Sequence, residues 1–370
     1  MTQPRKSFYI LIPLVASLLA VLFFELGLAL FYPIPFSLEK NMYFESDPYT
    51  GFRNKPFGSG HFPTGVEASA NSRGQRDDEV EIPKPDGVFR VLVIGDSFTV
   101  GANVEQEEVY VQVLEEILND VADKPIEVVN AGTGGWNPFQ YAQFYEYYGQ
   151  AFEPDLVIVG FFVGNDTYID ATRVEDTRSA VLGRRLPRDA GQGRRVQALV
   201  YLYEHSHIAR ALMRAGPNDL TFEREQCDEF TDYYLALQTN RLHNHVADPS
   251  PTDKAHIAAN ADQIQRIQTL AGNSEVPFLV VILPDENQIN PALQARLISS
   301  EEINTYDFDM PQLLLHELFD ERGISYLDLT DAIRADERCL YMNDTHWVSA
   351  GHRFVAEQIR DHLLTRQLLQ

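Results

Sequence analysis

The chain has 370 residues with 54 Asp or Glu against 30 Lys or Arg, so its formal net charge at pH 7 is −24. This length suits one decorated domain with additional segments. The acidic balance excludes the basic footprint that nucleic acid requires and disfavours broad adsorption to anionic lipid headgroups. We therefore predict no nucleic-acid partner and interpret the charge as a source of solubility.

The N-terminus predicts a membrane anchor. Phe8–Phe24 carries no charge, and the apolar character resumes after Glu25. At about 1.5 Å per residue, such a helix crosses a hydrocarbon core of about 30 Å. Arg5 and Lys6 precede it, which keeps the N-terminus cytoplasmic and places the rest on the extracytoplasmic side, periplasmic or extracellular. We expect residues 1–34 to form an uncleaved single-pass transmembrane helix, with a cleaved signal peptide as the alternative.

The next segment, residues 35–87, is rich in Pro, Gly, Asn and charge. This composition is typical of turns, so we predict a juxtamembrane segment with short strands at most. The main domain is predicted at 88–370. It contains the only two cysteines, Cys227 and Cys339. An exported domain permits a disulfide between them, and two buried thiols are the open alternative.

Within the main domain, apolar runs alternate with helix-like segments. Strands are predicted at Val88–Ile94, Ile126–Val129, Leu156–Phe162, Val276–Leu283 and Ile324–Leu329. Helices are predicted at Glu105–Asn119, Phe139–Phe152, about Thr252–Leu270, and Ala350–Leu368. The alternation implies an α/β fold with a parallel sheet and helices on both faces.

An insertion at about 167–250 interrupts this alternation. A helical stretch is predicted there from about Val196 to Ala215, and a basic run precedes it, consisting of Arg184, Arg185, Arg188, Arg194 and Arg195. Two interpretations stay open. The insertion is either a solvated loop with a capping helix, or a lid or binding edge for an anionic polymer.

A candidate nucleophile follows the first predicted strand, where the chain reads Gly95-Asp96-Ser97. Ser97 stands at the carboxyl end of the strand, where α/β sheets place their ligands. A serine hydroxyl becomes a nucleophile when a base removes its proton. Taken alone, the motif is equally compatible with a strand-to-helix turn in which Ser97 is a cap.

Candidate oxyanion donors follow the next two strands. A glycine-rich turn comes after the second, and the backbone N–H of Gly135 is our candidate there. Gly164-Asn165-Asp166 comes after the third, and the Asn165 amide can supply another donor. Each turn is common when considered alone.

A candidate general base precedes the last predicted helix, in Asn343-Asp344-Thr345-His346-Trp347. Imidazole is a common general base in enzymes, and His346 is the candidate for that role here. Asp344 is the candidate carboxylate that orients it. Considered alone, His346 is also compatible with an ordinary surface histidine near a helix start.

Taken together, these motifs resemble the SGNH hydrolases, or GDSL esterase/lipase superfamily. The four signature residues of that family match Ser97, Gly135, Asn165 and His346. The resemblance covers roughly residues 88–166 and 276–368. It implies a flavodoxin-like three-layer α/β/α sandwich and attack of the serine on an ester carbonyl. It also implies an oxyanion hole formed by the Ser97 and Gly135 N–H groups and the Asn165 side chain.

One position departs from the family pattern, which usually has an Asp three residues before the His. Asn343 occupies that position here, and Asp344 lies two residues before His346. This Asp-x-His-Trp form resembles the polysaccharide O-acetyltransferase branch, such as the alginate-acetylating proteins. A Ser–His dyad helped by a backbone carbonyl is therefore an alternative to an orienting Asp344.

Two further features bear on ligands. Trp136 and Trp347 each neighbour a site motif, and they either line the substrate site or pack beneath it. The chain has no His-Glu-x-x-His motif, and its closely spaced histidine pairs would point to different faces of a helix. We therefore expect neither a metal ion nor a cofactor.

These observations predict an extracytoplasmic, membrane-anchored serine hydrolase that acts on an ester or an O-acylated glycan. An O-acyltransferase that acetylates a surface polysaccharide would use the same residues and is the first alternative. A non-catalytic envelope protein that kept the fold is the second.

Overall fold

The computed structural model describes residues 6–31, 44–62, 64–167, 206–208, 222, 224, 226–302 and 304–369. The chain divides into two units. One comprises Met1–Met42 and Arg178–Leu220, and the other comprises Tyr43–Thr177 and Thr221–Gln370. The predicted basic run at 184–195, and most of the helix predicted at 196–215, lie outside the described residues.

The first unit contains helix α1, Lys6–Phe31. Its Glu25 carboxylate accepts hydrogen bonds from Ser206 Oγ at 2.9 Å, from the Ile208 N–H at 2.9 Å and from the His207 N–H. These donors compensate the charge of a carboxylate within an apolar helix. Among the residues that the structure describes, no helix is long and apolar enough to cross a membrane. The transmembrane helix expected at 1–34 is therefore not found there.

The second unit begins with two antiparallel hairpins, which occupy the predicted juxtamembrane segment. They are β1 (Phe44–Asp47) with β2 (Gly51–Asn54), and β3 (Ser59–His61) with β4 (Glu67–Ser69). They belong to the same unit as the sheet that follows. The Phe52 carbonyl accepts a bond from Trp136 Nε1, and the Asn54 amide donates to the Gly132 carbonyl, each at 2.9 Å. These residues thus support the glycine-rich turn.

The core of this unit is a five-stranded parallel sheet. Its strands are β5 (Phe89–Gly95), β6 (Ile126–Gly132), β7 (Leu156–Phe162), β8 (Phe278–Leu283) and β9 (Tyr326–Asp328). All five predicted strands are confirmed, although β6 runs three residues further than predicted and β9 is shorter. Both β5 and β7 are buried along their whole length, which explains their continuous apolar sequences.

Helices cover the sheet on both faces. They are α2 (Ser97–Val100), α3 (Tyr110–Asn119), α4 (Pro138–Tyr147), α5 (Val163–Asp166), α6 (Asp232–Arg241), α7 (Pro251–Gly272), α8 (Glu286–Ile289), α9 (Pro291–Leu297), α10 (Met310–Arg322), α11 (Thr330–Arg334) and α12 (Ser349–Arg366). Helices α3 and α12 pack together over Val91 and Val93 of β5. Helix α7 packs against α4 and α10. The predicted three-layer α/β/α arrangement is confirmed.

The order of the strands determines where a ligand-binding crevice lies at the edge of the sheet. Across the sheet it reads β6-β5-β7-β8-β9, which is the flavodoxin-like order. The chain leaves β5 toward β6 on one side and returns to β7 on the other, so a crevice opens between the carboxyl ends of β5 and β7. Ligands of such sheets bind at this crevice. Ser97 directly follows β5, and Asn165 directly follows β7.

A disulfide closes the second unit. Cys227 and Cys339 are bonded, with their Cα atoms 5.2 Å apart and a sequence separation of 112. The structure thus decides between the two states that the sequence left open. In the chain-entropy model, closing so long a loop stabilises the folded state by about 4–5 kcal/mol.

Candidate active site

A tight strand-to-helix turn presents the candidate nucleophile. Strand β5 ends at Gly95, and the Asp96 carboxylate caps α2 by accepting the Phe98 N–H at 2.9 Å. Ser97 is the first residue of α2 and is partly exposed, whereas the three residues after it are buried. A ligand at this edge of the sheet can therefore reach the Ser97 hydroxyl.

His346 lies between Ser97 and Asp344. Its Nε2 is 2.8 Å from Ser97 Oγ, and its Nδ1 is 2.9 Å from Asp344 Oδ2. Asp344 Oδ1 also accepts the backbone N–H of His346 at 3.0 Å. An ionised carboxylate requires a proton on Nδ1, which leaves Nε2 free to accept the serine proton. The structure brings together the three predicted catalytic residues, and Asp344 occupies the orienting position despite its unusual spacing.

Asn103 completes the surroundings of Asp344, and the sequence analysis missed it. Its side-chain amide donates to Asp344 Oδ2. The backbone of Asn103 has a φ of 72°, in the left-handed region that Asn tolerates better than most residues. In the sequence, the closeness of Asn103 to the Gly-Asp-Ser turn could have indicated that it belongs to the candidate site. The charge-assisted bond fixes the carboxylate from the side opposite the histidine loop, residues 340–348.

The glycine-rich turn lies beside the serine. A Cβ atom added to Gly134 would stand 3.9 Å from the Cβ of Ser97. Gly135 has a φ of 82°, which a residue with a side chain adopts only with strain. Within the described part of the chain, the backbone N–H groups of Ser97 and Gly135 have no hydrogen-bond acceptor. Such donors suit a developing oxyanion.

Asn165 is held in place by Asp96. Its Nδ2 donates to Asp96 Oδ2 at 2.8 Å, so the aspartate of the Gly-Asp-Ser motif caps α2 and orients the third predicted oxyanion donor. Burial raises the pKa of Asp96, while its two hydrogen bonds and the nearby His346 and Arg241 oppose that rise. The sequence analysis assigned no role to Asp96.

A second buried acid lies behind this pair. Asp166 accepts hydrogen bonds from the Tyr141 hydroxyl at 3.1 Å and from the Phe162 N–H at 3.0 Å. Burial and then the Asp96 charge raise the pKa of Asp166 well above its usual range. Both effects favour the neutral form of Asp166 next to the Asp96 carboxylate.

Both tryptophans are buried. Trp136 is 1% exposed and Trp347 is 0% exposed. The Trp347 ring packs edge-to-face against Phe98, with ring centroids 4.7 Å apart. An indole must be accessible to stack on a sugar or an acyl chain, so the structure favours the packing interpretation over substrate lining for both residues.

A family model adds an independent finding. Residues 242–370 match the SGNH hydrolase-like domain of the acetyltransferase AlgX. This similarity covers 129 of the 370 residues. The matched range includes Asp344 and His346, whereas Ser97, Gly135 and Asn165 precede it. No curated protein matches the chain in sequence.

Solved structures are similar to this chain at low identity. An acetyl xylan esterase, AlAXEase, is 14% identical over 74% of this chain and 100% of its own, with a TM-score of 0.40. A lipase/acylhydrolase from Enterococcus faecalis is 13% identical over 75% and 96%, with a TM-score of 0.37. TesA is 11% identical over 76% and 99%, with a TM-score of 0.38. At these identities the likeness concerns the fold alone.

Proposed function

We propose that this protein is a serine-dependent acyl-ester hydrolase whose substrate is an O-acetylated glycan. The observation that carries the proposal is the continuous hydrogen-bonded chain from Ser97 through His346 to Asp344, with distances of 2.8 and 2.9 Å. A hydroxyl, a correctly oriented imidazole and a carboxylate in this order form a general-base-activated nucleophile.

The proposed reaction has two steps. Ser97 Oγ attacks the ester carbonyl while His346 Nε2 takes the serine proton, and a C–O bond forms as the carbonyl oxygen gains negative charge. The N–H groups of Ser97 and Gly135 and the Asn165 amide stabilise this oxyanion. The intermediate expels the alcohol, which receives the proton from His346. Water then attacks the acyl-serine with His346 again as the base, releasing a carboxylic acid and free Ser97.

Transfer of the acyl group to a glycan hydroxyl is the second candidate. The first step is the same, and a sugar hydroxyl replaces water in the second. Two observations favour it: the match of residues 242–370 to an acetyltransferase family, and the Asp-x-His-Trp sequence at 344–347. The two candidates differ only in the acceptor that reaches the acyl-serine.

An extracytoplasmic location for the second unit is part of the proposal. The Cys227–Cys339 disulfide supports it, because structural disulfides persist in oxidising compartments. A fusion of alkaline phosphatase to the C-terminus tests it, since that reporter folds only where its own disulfides form. An inactive fusion in cells that contain the full-length protein would contradict this location.

The function is tested with the full chain and an aryl acetate. Serine-dependent turnover is expected, with a burst of phenol that equals the active-site concentration and an acetyl group on the peptide that contains Ser97. Ser97→Ala should abolish both, and Ser274→Ala, at an exposed serine, should change neither. Because the catalytic groups act as a unit, Ser97→Ala/His346→Ala should lose little more than either single variant.

An added acetylated or free oligosaccharide distinguishes the acceptors. Release of acetate from the acetylated glycan supports hydrolysis, whereas acetate that appears on the free glycan supports transfer. A serine-directed phosphonate that fails to label a folded protein would refute both candidates.

A further inference from the structure

We propose that Arg241 is a positioning residue for the general base. Arg241 is the last residue of α6, in the part of the chain that the sequence analysis treated as an insertion, and it is only 8% exposed. Its Nη1 donates to Thr345 Oγ1 at 2.5 Å and to Asp285 Oδ2 at 3.1 Å. Thr345 stands between Asp344 and His346 in the sequence, so Arg241 acts on the catalytic pair through the residue that joins them.

The conformation of Thr345 explains why an anchor is required. Its φ is 90°, which is a costly conformation for a β-branched residue. Within the histidine loop, the Met342 N–H donates to the His346 carbonyl at 2.7 Å, and Thr345 N–H donates to the Met342 carbonyl at a long 3.3 Å. These local bonds close the loop, but the Thr345 side chain is fixed from outside it, by Arg241.

Arg241 is itself held rigidly. Asp285, which follows β8, is fully buried and also accepts a bond from Gln238 Nε2 at 2.9 Å. The guanidinium carbon lies 5.2 Å from the ring centroid of Phe162, the last residue of β7. The guanidinium is thus held at the carboxyl ends of two strands, and its hydrogen bond to Thr345 restrains the strained turn. A hydrogen bond from a charged donor is stronger than one between neutral groups, so this bond can offset the cost of the strained turn.

This role rests on the proposed function of His346 as the base that deprotonates Ser97. Among the described residues, the Arg241 side chain donates its hydrogen bonds to Thr345 and Asp285 and not to Ser97 or His346, so its effect is on geometry. A displacement of about 1 Å in a catalytic group lowers the rate by about 100-fold. Loss of the Arg241–Thr345 bond should therefore lower kcat and leave KM nearly unchanged.

Thr345→Val removes the hydroxyl and retains the β-branched shape and the Arg241–Asp285 ion pair. Thr345→Ser retains the hydroxyl and is the matched control. Each full-length variant is assayed with an aryl acetate, and the downfield proton resonance of the His346 Nδ1–H bond to Asp344 is measured in the same samples. We expect Thr345→Val to lose about 10- to 100-fold in kcat with a KM within about twofold, and to broaden or shift the resonance. Thr345→Ser should match the parent on both measures.

Thr345→Val with unchanged kcat and an unchanged resonance would overturn the proposal. If the parent neither turns over esters nor reacts with a phosphonate, but Thr345→Val still alters the resonance, the proposed function fails and the positioning role stands. If Thr345→Val does not fold, as shown by a lost thermal transition, Arg241→Lys decides by the same two measurements. Lysine keeps the charge beside Asp285 but lacks the planar group that spans Asp285 and Thr345, so unchanged kcat in that variant would also overturn the proposal.

Discussion

Asp344→Asn is the most informative substitution at the site, because the surroundings of Asp344 satisfy neither orientation of an asparagine. Oδ1 accepts the His346 N–H, and Oδ2 accepts both His346 Nδ1–H and the Asn103 amide. If the new amide nitrogen replaces Oδ1, it faces the His346 N–H, and two donors meet. If it replaces Oδ2, it faces the Asn103 amide and forces Nδ1 of His346 to become an acceptor.

The second orientation places a proton on Nε2 of His346, so this nitrogen can no longer accept the proton of Ser97. The first retains the tautomer but leaves two partly buried donors opposed, at a cost of about 1 kcal/mol. Both also remove the negative charge that stabilises the imidazolium. We expect kcat to fall by about 100- to 10,000-fold, which corresponds to about 2.7–5.5 kcal/mol of transition-state stabilisation.

The assay is steady-state hydrolysis of an aryl acetate by the full chain, with the thermal transition measured in parallel. Asp123→Asn is the control, because Asp123 is exposed and the substitution removes the same charge. If Asp344→Asn keeps wild-type kcat while folded, the orienting role of Asp344 is wrong, and the Ser97–His346 dyad with a backbone carbonyl is correct.

Two other substitutions test neighbouring groups. Asn103→Gly keeps the left-handed backbone and deletes the bond to Asp344. We expect kcat to fall about tenfold, in line with loss of a charge-assisted bond. An unchanged kcat would show that Asp344 needs only His346 to hold it. Asp77→Asn should change the pH dependence of stability. Burial raises the pKa of Asp77 to about 7, so the native state binds the extra proton between about pH 4 and 7 and the wild type loses stability as pH rises through that range. An asparagine does not ionise, and its amide can donate to Gln112 Oε1, which is buried without a partner among the described residues. In urea unfolding, the wild type and Asp77→Asn should have equal stabilities at pH 4. At pH 8 the variant should be more stable by about 2 kcal/mol, after allowance for the partial exposure of Asp77. Equal stabilities of the two proteins at pH 8 would contradict the raised pKa.

The sheet, and the edge of the sheet where the candidate site lies, could be predicted from local sequence patterns. Parallel strands buried on both faces require continuous apolar runs, and β5, β7 and β8 are visible as such runs without any knowledge of the fold. The carboxyl ends of parallel strands share one edge, so motifs that directly follow strands converge. Ser97 and Asn165 were identified on this basis, and His346 and Gly135 with them.

The contacts that support this candidate site could not be predicted from local sequence patterns. Asn103 and Asp344 lie 241 residues apart, and Arg241 and Thr345 lie 104 apart, so no local periodicity links either pair. The same holds for the disulfide, for the hairpins that hold the glycine-rich turn, and for the burial of Trp136 and Trp347. Hydrophobic periodicity and composition indicate which face of a helix or strand is buried. They do not indicate which residue it contacts, because that depends on how elements distant in sequence pack together. The candidate catalytic residues could therefore be predicted from the sequence, whereas the residues that hold them in place could not.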